Sequence, residues 1–200
     1  MDIIKLQYIS DGANDDIKEV LDAGCKWIQL RIKNQDLHNI KNIAIKVQTW
    51  CRSYNAFFII NDYVELAQKI NADGVHLGKS DMNVAEARNM LNNKIIGGTA
   101  NTLSDILELK DFVDYIGLGP FKFTKTKKNL GHLLGFDGYR NILEKLNILK
   151  LNVPIIAIGG IECGDVSRLI STGVSGIAVS SSIYNASNRQ QKVKEFLNYL

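Results

Sequence analysis

Eight short apolar runs recur along this chain, at Leu6–Ile9, Trp27–Arg31, Phe57–Ile60, Gly74–Leu77, Ile95–Gly98, Tyr115–Gly119, Ile155–Ile158 and Gly176–Val179. They end at Gly, Asn, Asp or Arg, as strands bounded by turn residues do. The last two are nearly continuous in apolar residues rather than alternating, which is the pattern of strands buried on both faces. Between the runs, apolar residues fall at helical spacing, for example Ile40, Ile43, Ala44 and Val47, or Val84, Ala87, Met90 and Leu91. Strand and helix in alternation imply parallel strands joined by crossovers. Eight such units predict an α/β fold, the closed (β/α)8 TIM barrel, as a short single domain over residues 1–200. The usual length is roughly 250 residues, so short helices and tight bottom loops are expected. An open, doubly wound sheet is the alternative. No Gly-x-Gly-x-x-Gly turn follows the first run, which argues against that fold and against a nicotinamide cofactor.

Bulk properties narrow the partners. Hydrophobic residues make up 46% of the chain and no low-complexity stretch divides it, so one core is expected. The start, Met1-Asp2-Ile3-Ile4-Lys5, has no targeting pattern, and no segment is apolar enough to span a bilayer, so a soluble, cytoplasmic protein without a membrane partner is expected. Cys25, Cys51 and Cys163 are odd in number and widely spaced, which suits reduced thiols better than disulfides or zinc ligands. A formal charge of +3 is too small for a general nucleic-acid surface. The one basic cluster, Lys122, Lys125, Lys127 and Lys128, is more economically explained by a small anionic ligand.

In a barrel of this kind the C-terminal strand ends carry the chemistry. Alternation in Gln29-Leu30-Arg31-Ile32-Lys33 aims Gln29, Arg31 and Lys33 to one side and Leu30 and Ile32 toward the helices. An amide and two cations on one face suit a polyanion. Asp62, after Asn61, and Asp81, after the fourth run, arrive from neighbouring strands. Two carboxylates suit Mg²⁺, which keeps waters and takes one or two protein carboxylates plus substrate phosphates. Each is equally readable as a helix cap, near Val64 and Val84 respectively. His76, between apolar neighbours, reads as a hydrogen-bonded core histidine, and Thr99 as a substrate-facing hydroxyl or a cap. The run Phe121-Lys122-Phe123-Thr124-Lys125-Thr126-Lys127-Lys128 reads as a phosphate-touching flap or a solvated basic loop. Gly159-Gly160-Ile161 and Ser180-Ser181-Ser182 follow the last two strands, where loop amides and a helix N-terminus favour an anion.

Taken together, Gln29-Leu30-Arg31-Ile32-Lys33, Asn61-Asp62, Gly74-Val75-His76-Leu77-Gly78 with Asp81-Met82, Gly117-Leu118-Gly119-Pro120, Thr124-Lys125-Thr126-Lys127 and Ala157-Ile158-Gly159-Gly160-Ile161 resemble the thiamine phosphate synthase family along nearly the whole chain. The resemblance implies a transferase that joins a hydroxymethylpyrimidine diphosphate to a thiazole phosphate, releasing diphosphate, with small-molecule partners only. It further implies that Gln29, Arg31, Lys33 and Asn61 hold the pyrimidine diphosphate, with Leu30 and Ile32 counted in the same substrate-binding segment, that Asp62 and Asp81 bind Mg²⁺, and that Thr99 supplies a hydroxyl near the substrate. Thr124 and Thr126, with Gly160, Ser180 and Ser181, would contact the thiazole phosphate, and Lys127, with Lys125 beside it, the diphosphate and pyrimidine. Catalysis would be electrostatic, with Arg31, Lys33, Lys127 and the metal stabilising the departing anion. The chain departs from the family pattern at Tyr63, Lys79-Ser80, Asn101 and Ser180. None of these replaces a presumed metal ligand, though they can alter its support. A thiazole tautomerase and a non-catalytic thiamine-phosphate sensor are the rival readings. Retention of Arg31, Lys33, Asp62, Asp81 and Lys127 favours the synthase over the tautomerase, which has no diphosphate or metal to hold, and the intact carboxylate pair argues against the sensor.

Overall fold

The structure, a computed structural model, describes residues 4–12, 16–124 and 132–200. Its strands are β1 (Leu6–Ser10), β2 (Trp27–Leu30), β3 (Phe57–Asn61), β4 (Gly74–Leu77), β5 (Ile95–Ala100), β6 (Tyr115–Leu118), β7 (Ile155–Ile158) and β8 (Gly176–Val179). They form a closed barrel in sequence order, every neighbour parallel, and β8 closes on β1 through Leu6↔Ile177 and Tyr8↔Val179. The eight strands and the (β/α)8 architecture read from the apolar runs are those observed. Their edges shift by one or two residues. Thr99 lies inside β5 rather than after it, because pairing with β6 continues to Ala100↔Leu118.

The helices are α1 (Asp16–Asp22), α2 (Leu37–Ser53), α3 (Val64–Ile70), α4 (Val84–Leu91), α5 (Leu103–Leu109), α6 (Gly135–Ile148), α7 (Val166–Ile170), α8 (Ser181–Tyr184) and α9 (Arg189–Asn198), with a 3₁₀ turn at Cys163–Asp165. Several have only seven or eight residues, which is how a barrel closes within this length. Such short helices gain little from propensity and depend on capping and packing. Asp36 caps α2 by accepting from Asn39 N–H at 2.9 Å, and Thr102 with Asp105 forms a reciprocal capping box on α5.

Side-chain alternation along the strands sorts the core into two shells. Tyr8, Ile28, Leu30, Phe58, Ile60, Val75 and Leu118 point outward beneath the helices. Ile9, Trp27, Ile59, Tyr115, Ile156 and Ala178 fill the barrel. This sorting positions the site, because the inward parity that holds Trp27 and Ile59 continues upward to Gln29, Asn61 and the rim. Among the described residues, no helix is long and apolar enough to cross a membrane.

Candidate active site

The inward parity of β2 and β3 brings Gln29 and Asn61 together below the rim. Both are buried, and Gln29 Nε2 donates to Asn61 Oδ1 at 2.7 Å, so each amide compensates the burial of the other. Leu30 and Ile32 lie in the helix-facing core. The segment Gln29–Lys33 therefore does not face a substrate through the side chains of Leu30 and Ile32, since the alternation that points Gln29 inward points these two away. Just past β2, Arg31 is half-buried, its N–H bound to Ser10 O at 2.8 Å. Among the described residues its guanidinium has no ion-pair partner, so its charge is available to an anion at the rim.

Lys33 Nζ is paired with Asp62 Oδ2, and Asn61 Nδ2 donates to Asp62 Oδ1. Asp62 occupies the left-handed region at φ 71°, which aspartate tolerates better than most residues, and its N–H is bound to His76 O at 2.9 Å. It does not cap α3, whose N-cap is Tyr63 with no side-chain cap bond. Nor does Asp81 cap α4, where Asn83 accepts from Ala85 N–H at 2.9 Å. Asp81 Oδ2 instead accepts from Gly78 N–H at 2.7 Å, which folds the β4 loop back and turns the carboxylate toward Asp62. The helix-cap alternatives for both residues are thereby overturned.

The two carboxylates interact directly. Burial, followed by the hydrogen bond and charge of Asp81, raises Asp62 above the usual carboxylate range despite the opposing Lys33. Asp81 is also penalised by burial, but the Asp62 hydrogen bond, the Gly78 N–H and the charge of Lys33 outweigh that and lower it. The two groups push each other apart in this way because they lie within hydrogen-bond reach of one another. A divalent cation between them would be held by oxygens of both.

Thr99 and His76 meet across β4 and β5. His76 Nε2 lies 2.9 Å from Thr99 Oγ1, and His76 Nδ1 lies 3.1 Å from Tyr115 Oη. Thr99 is not a helix cap, since Thr102 fills that place on α5. A recess of about 310 Å³ is lined by both Thr99 and Asp81, together with Gly78, Lys79 and Met82. His76 is the site neighbour that sequence reasoning set aside. The signal that could have found it is the inward-facing pair Gly97 and Gly117 on the next two strands, which leave room for a ring.

The loops after β6 and β7 are joined through the backbone. Phe121 N–H donates to Ile158 O and Lys122 N–H to Gly159 O, each at 2.9 Å. Gly159 and Gly160 have φ of +103° and +66°, and a Cβ on Gly160 would lie 2.7 Å from Phe123 O. Glycine is required there for conformation and for the close approach of the β6 loop. Lys122 is held by Asp165 at 2.6 Å and is committed to this joint. Leu134 N–H returns to Pro120 O at 2.9 Å, which pins the far stem of the loop. Thr124 is half-buried at its near stem, whereas Lys125, Thr126, Lys127 and Lys128 lie outside the described residues. The pairing Ile158↔Ala178 brings Gly160 level with Ser180, the N-cap of α8, and Ser181 beside it is exposed.

The departures from the family pattern have local roles. Lys79 pairs with Asp105 at 2.6 Å, Asn101 Nδ2 bonds Gly119 O to tie the β5 and β6 loops together, and Tyr63 packs against the outer core. Among the described residues no group of three or more His, Cys, Asp or Glu is placed to hold a metal. The pair Asp62 and Asp81 therefore fits a hard cation that keeps water or ligand oxygens, and does not fit a closed structural site.

Comparison with known proteins points one way. A family model described as thiamine monophosphate synthase matches residues 4–183. The chain is similar to a thiamine-phosphate synthase of Phocaeicola vulgatus, at 45% identity over 98% of this chain and 97% of that one. It is also similar to one of Flavobacterium psychrophilum, at 48% identity over 96% of each. Among solved structures, a thiamine phosphate pyrophosphorylase from Pyrococcus furiosus superposes with a TM-score of 0.87 at 31% identity, covering 98% of this chain and 95% of that one.

Proposed function

The chain belongs to the thiamine monophosphate synthase family, whose members similar to it are transferases, and we propose that it joins a pyrimidine-methyl diphosphate to a thiazole phosphate to give thiamine phosphate and diphosphate. The observation that carries this reading is the meeting of Asp62 and Asp81 beside Lys33, Asn61 and Gln29 at the strand ends. A carboxylate pair next to fixed cations suits a metal diphosphate. Neither thiazole isomerisation nor simple sensing needs that combination.

In this reading Asp62 and Asp81 hold Mg²⁺, which supplies charge neutralisation of the diphosphate when bound. Gln29 and Asn61 orient the pyrimidine edge. Arg31, Lys33 and Lys127, with Lys125, receive the negative charge that develops as the methylene C–O bond breaks. The thiazole nitrogen then donates its electron pair to that methylene carbon, forming the C–N bond. Gly160, Ser180 and Ser181, with Thr124 and Thr126, hold the thiazole phosphate so that the nitrogen is aimed before the bond breaks, and orientation replaces a strong base. The loop carrying Thr124 to Lys128 excludes water from the electrophilic carbon.

The test is incubation of the purified protein with both substrates and Mg²⁺, with thiamine phosphate and diphosphate quantified together. Equal amounts of the two are expected. Correctly folded protein that yields neither, or that only isomerises the thiazole, overturns the proposal.

A further inference from the structure

A polar chain crosses the interior of the barrel and ends on Thr99. Gln7 Nε2 donates to Tyr115 Oη at 3.2 Å, Tyr115 Oη is 3.1 Å from His76 Nδ1, and His76 Nε2 is 2.9 Å from Thr99 Oγ1. We infer that this chain makes Thr99 a one-way hydrogen-bond donor to an acceptor atom of the diphosphate-bearing substrate, with His76 and Tyr115 as positioning residues. The inference rests on the proposed placement of that substrate against Thr99.

Proton count sets the direction. An amide nitrogen can only donate, so the Tyr115 oxygen accepts from Gln7 and its single proton goes to His76 Nδ1. Burial raises the Tyr115 phenol above its ordinary range, so the proton stays on oxygen. An imidazole that accepts at Nδ1 carries hydrogen at Nε2 and donates it to Thr99 Oγ1. The threonine hydroxyl, having accepted on that side, keeps its own proton for the recess it shares with Asp81. A freely rotating hydroxyl would divide its time between donating and accepting. This one is committed before substrate arrives, which is the kind of preorganisation that catalysis by fixed dipoles needs.

The surrounding backbone is shaped for the two rings. A Cβ on Gly97 would lie 2.2 Å from Tyr115 Cζ and 2.5 Å from His76 Nδ1, and one on Gly117 would lie 3.0 Å from His76 Cε1. Glycine inside a strand costs stability, and here it marks the space that the imidazole and phenol occupy. Trp27 packs edge-on against Tyr115 with centroids 4.8 Å apart, which restricts the phenol from swinging away from His76.

The experiment is a double-mutant cycle of Thr99→Val and Tyr115→Phe, with kcat and KM measured for both substrates and folding checked by thermal melting. Thr99→Val should lower kcat by about 10- to 100-fold and Tyr115→Phe by about 5- to 10-fold, as loss or misdirection of one fixed donor does. Neither should move KM for the thiazole phosphate. In the Thr99→Val background, Tyr115→Phe should have no further effect. A Thr99→Val enzyme at full rate would remove Thr99 from the substrate site, and the inference with it. An impaired Thr99→Val enzyme in which Tyr115→Phe costs the same factor in both backgrounds overturns the inference alone. If Tyr115→Phe does not fold, His76→Gln and His76→Asn decide. Glutamine reaches the Nε2 position as a donor and should retain activity within about threefold, whereas asparagine should fall to the level of Thr99→Val. Equal loss in the two overturns the inference.

Discussion

The side chains of Asp62 and Asp81 meet across the mouth of the barrel, on the loops after two neighbouring strands, with the Lys33 ammonium paired to Asp62 beside them. Like charges are gathered here at a cost that folding alone does not explain. Replacing either by Asn should therefore leave thermal stability equal or higher while lowering turnover by about 100-fold or more at saturating Mg²⁺, the range seen when a principal charge-stabilising group is removed. Melting curves and kcat for Asp62→Asn and Asp81→Asn check both halves. Near-normal turnover removes the assigned role.

Lys127→Ala should lower kcat by two to three orders of magnitude, about the loss expected for one preorganised charge at a leaving group. Lys122→Ala should behave differently, because Lys122 is held by Asp165 at 2.6 Å. Its loss should act on stability and only weakly on kcat. Parallel kinetics and melts of the two variants separate the roles, and equal kinetic losses would contradict the division.

Gly160→Ala places a Cβ 2.7 Å from Phe123 O at a φ of +66°. The expected cost is about 1–3 kcal/mol, from overpacking and backbone strain together. Because the displaced element is the β6 loop, KM for the thiazole phosphate should rise as well. Urea unfolding and steady-state kinetics check the two effects. An alanine variant that is wild-type in both would show that the two loops are not locked together.

Asp105 gives a pH dependence. Burial opposes its ionisation, but hydrogen bonds from Lys79, from Asn101 N–H and from Thr102 outweigh burial and hold it below the ordinary value of 3.8. In the window between the depressed folded value and 3.8 the unfolded chain binds more protons than the folded one, so stability rises with pH there. The contribution is fully present above the ordinary value and is lost as pH falls through the depressed one. Asp105→Asn should flatten this acid limb in denaturant titrations, and Thr102→Ala, which removes the other half of the capping box, should cost about 1 kcal/mol at neutral pH. An unchanged acid limb would contradict the assignment.

The eight strands and their parallel closure were legible in the chain itself, because burial of a strand on both faces writes a continuous apolar run and each crossover helix writes its own period. The same local code placed Gln29, Asn61, Asp62 and Asp81 at strand ends, and it assigned Leu30 and Ile32 to the helix-facing side. Only the tertiary structure decided which polar groups meet. Lys33 pairs with Asp62, Lys79 with Asp105, Lys122 with Asp165, and His76 with Thr99 and Tyr115. Periodicity reports which face of an element is apolar, a property of adjacent residues. The partner of a polar side chain depends on the register between strands distant in sequence, and on where glycines let two rings stand side by side.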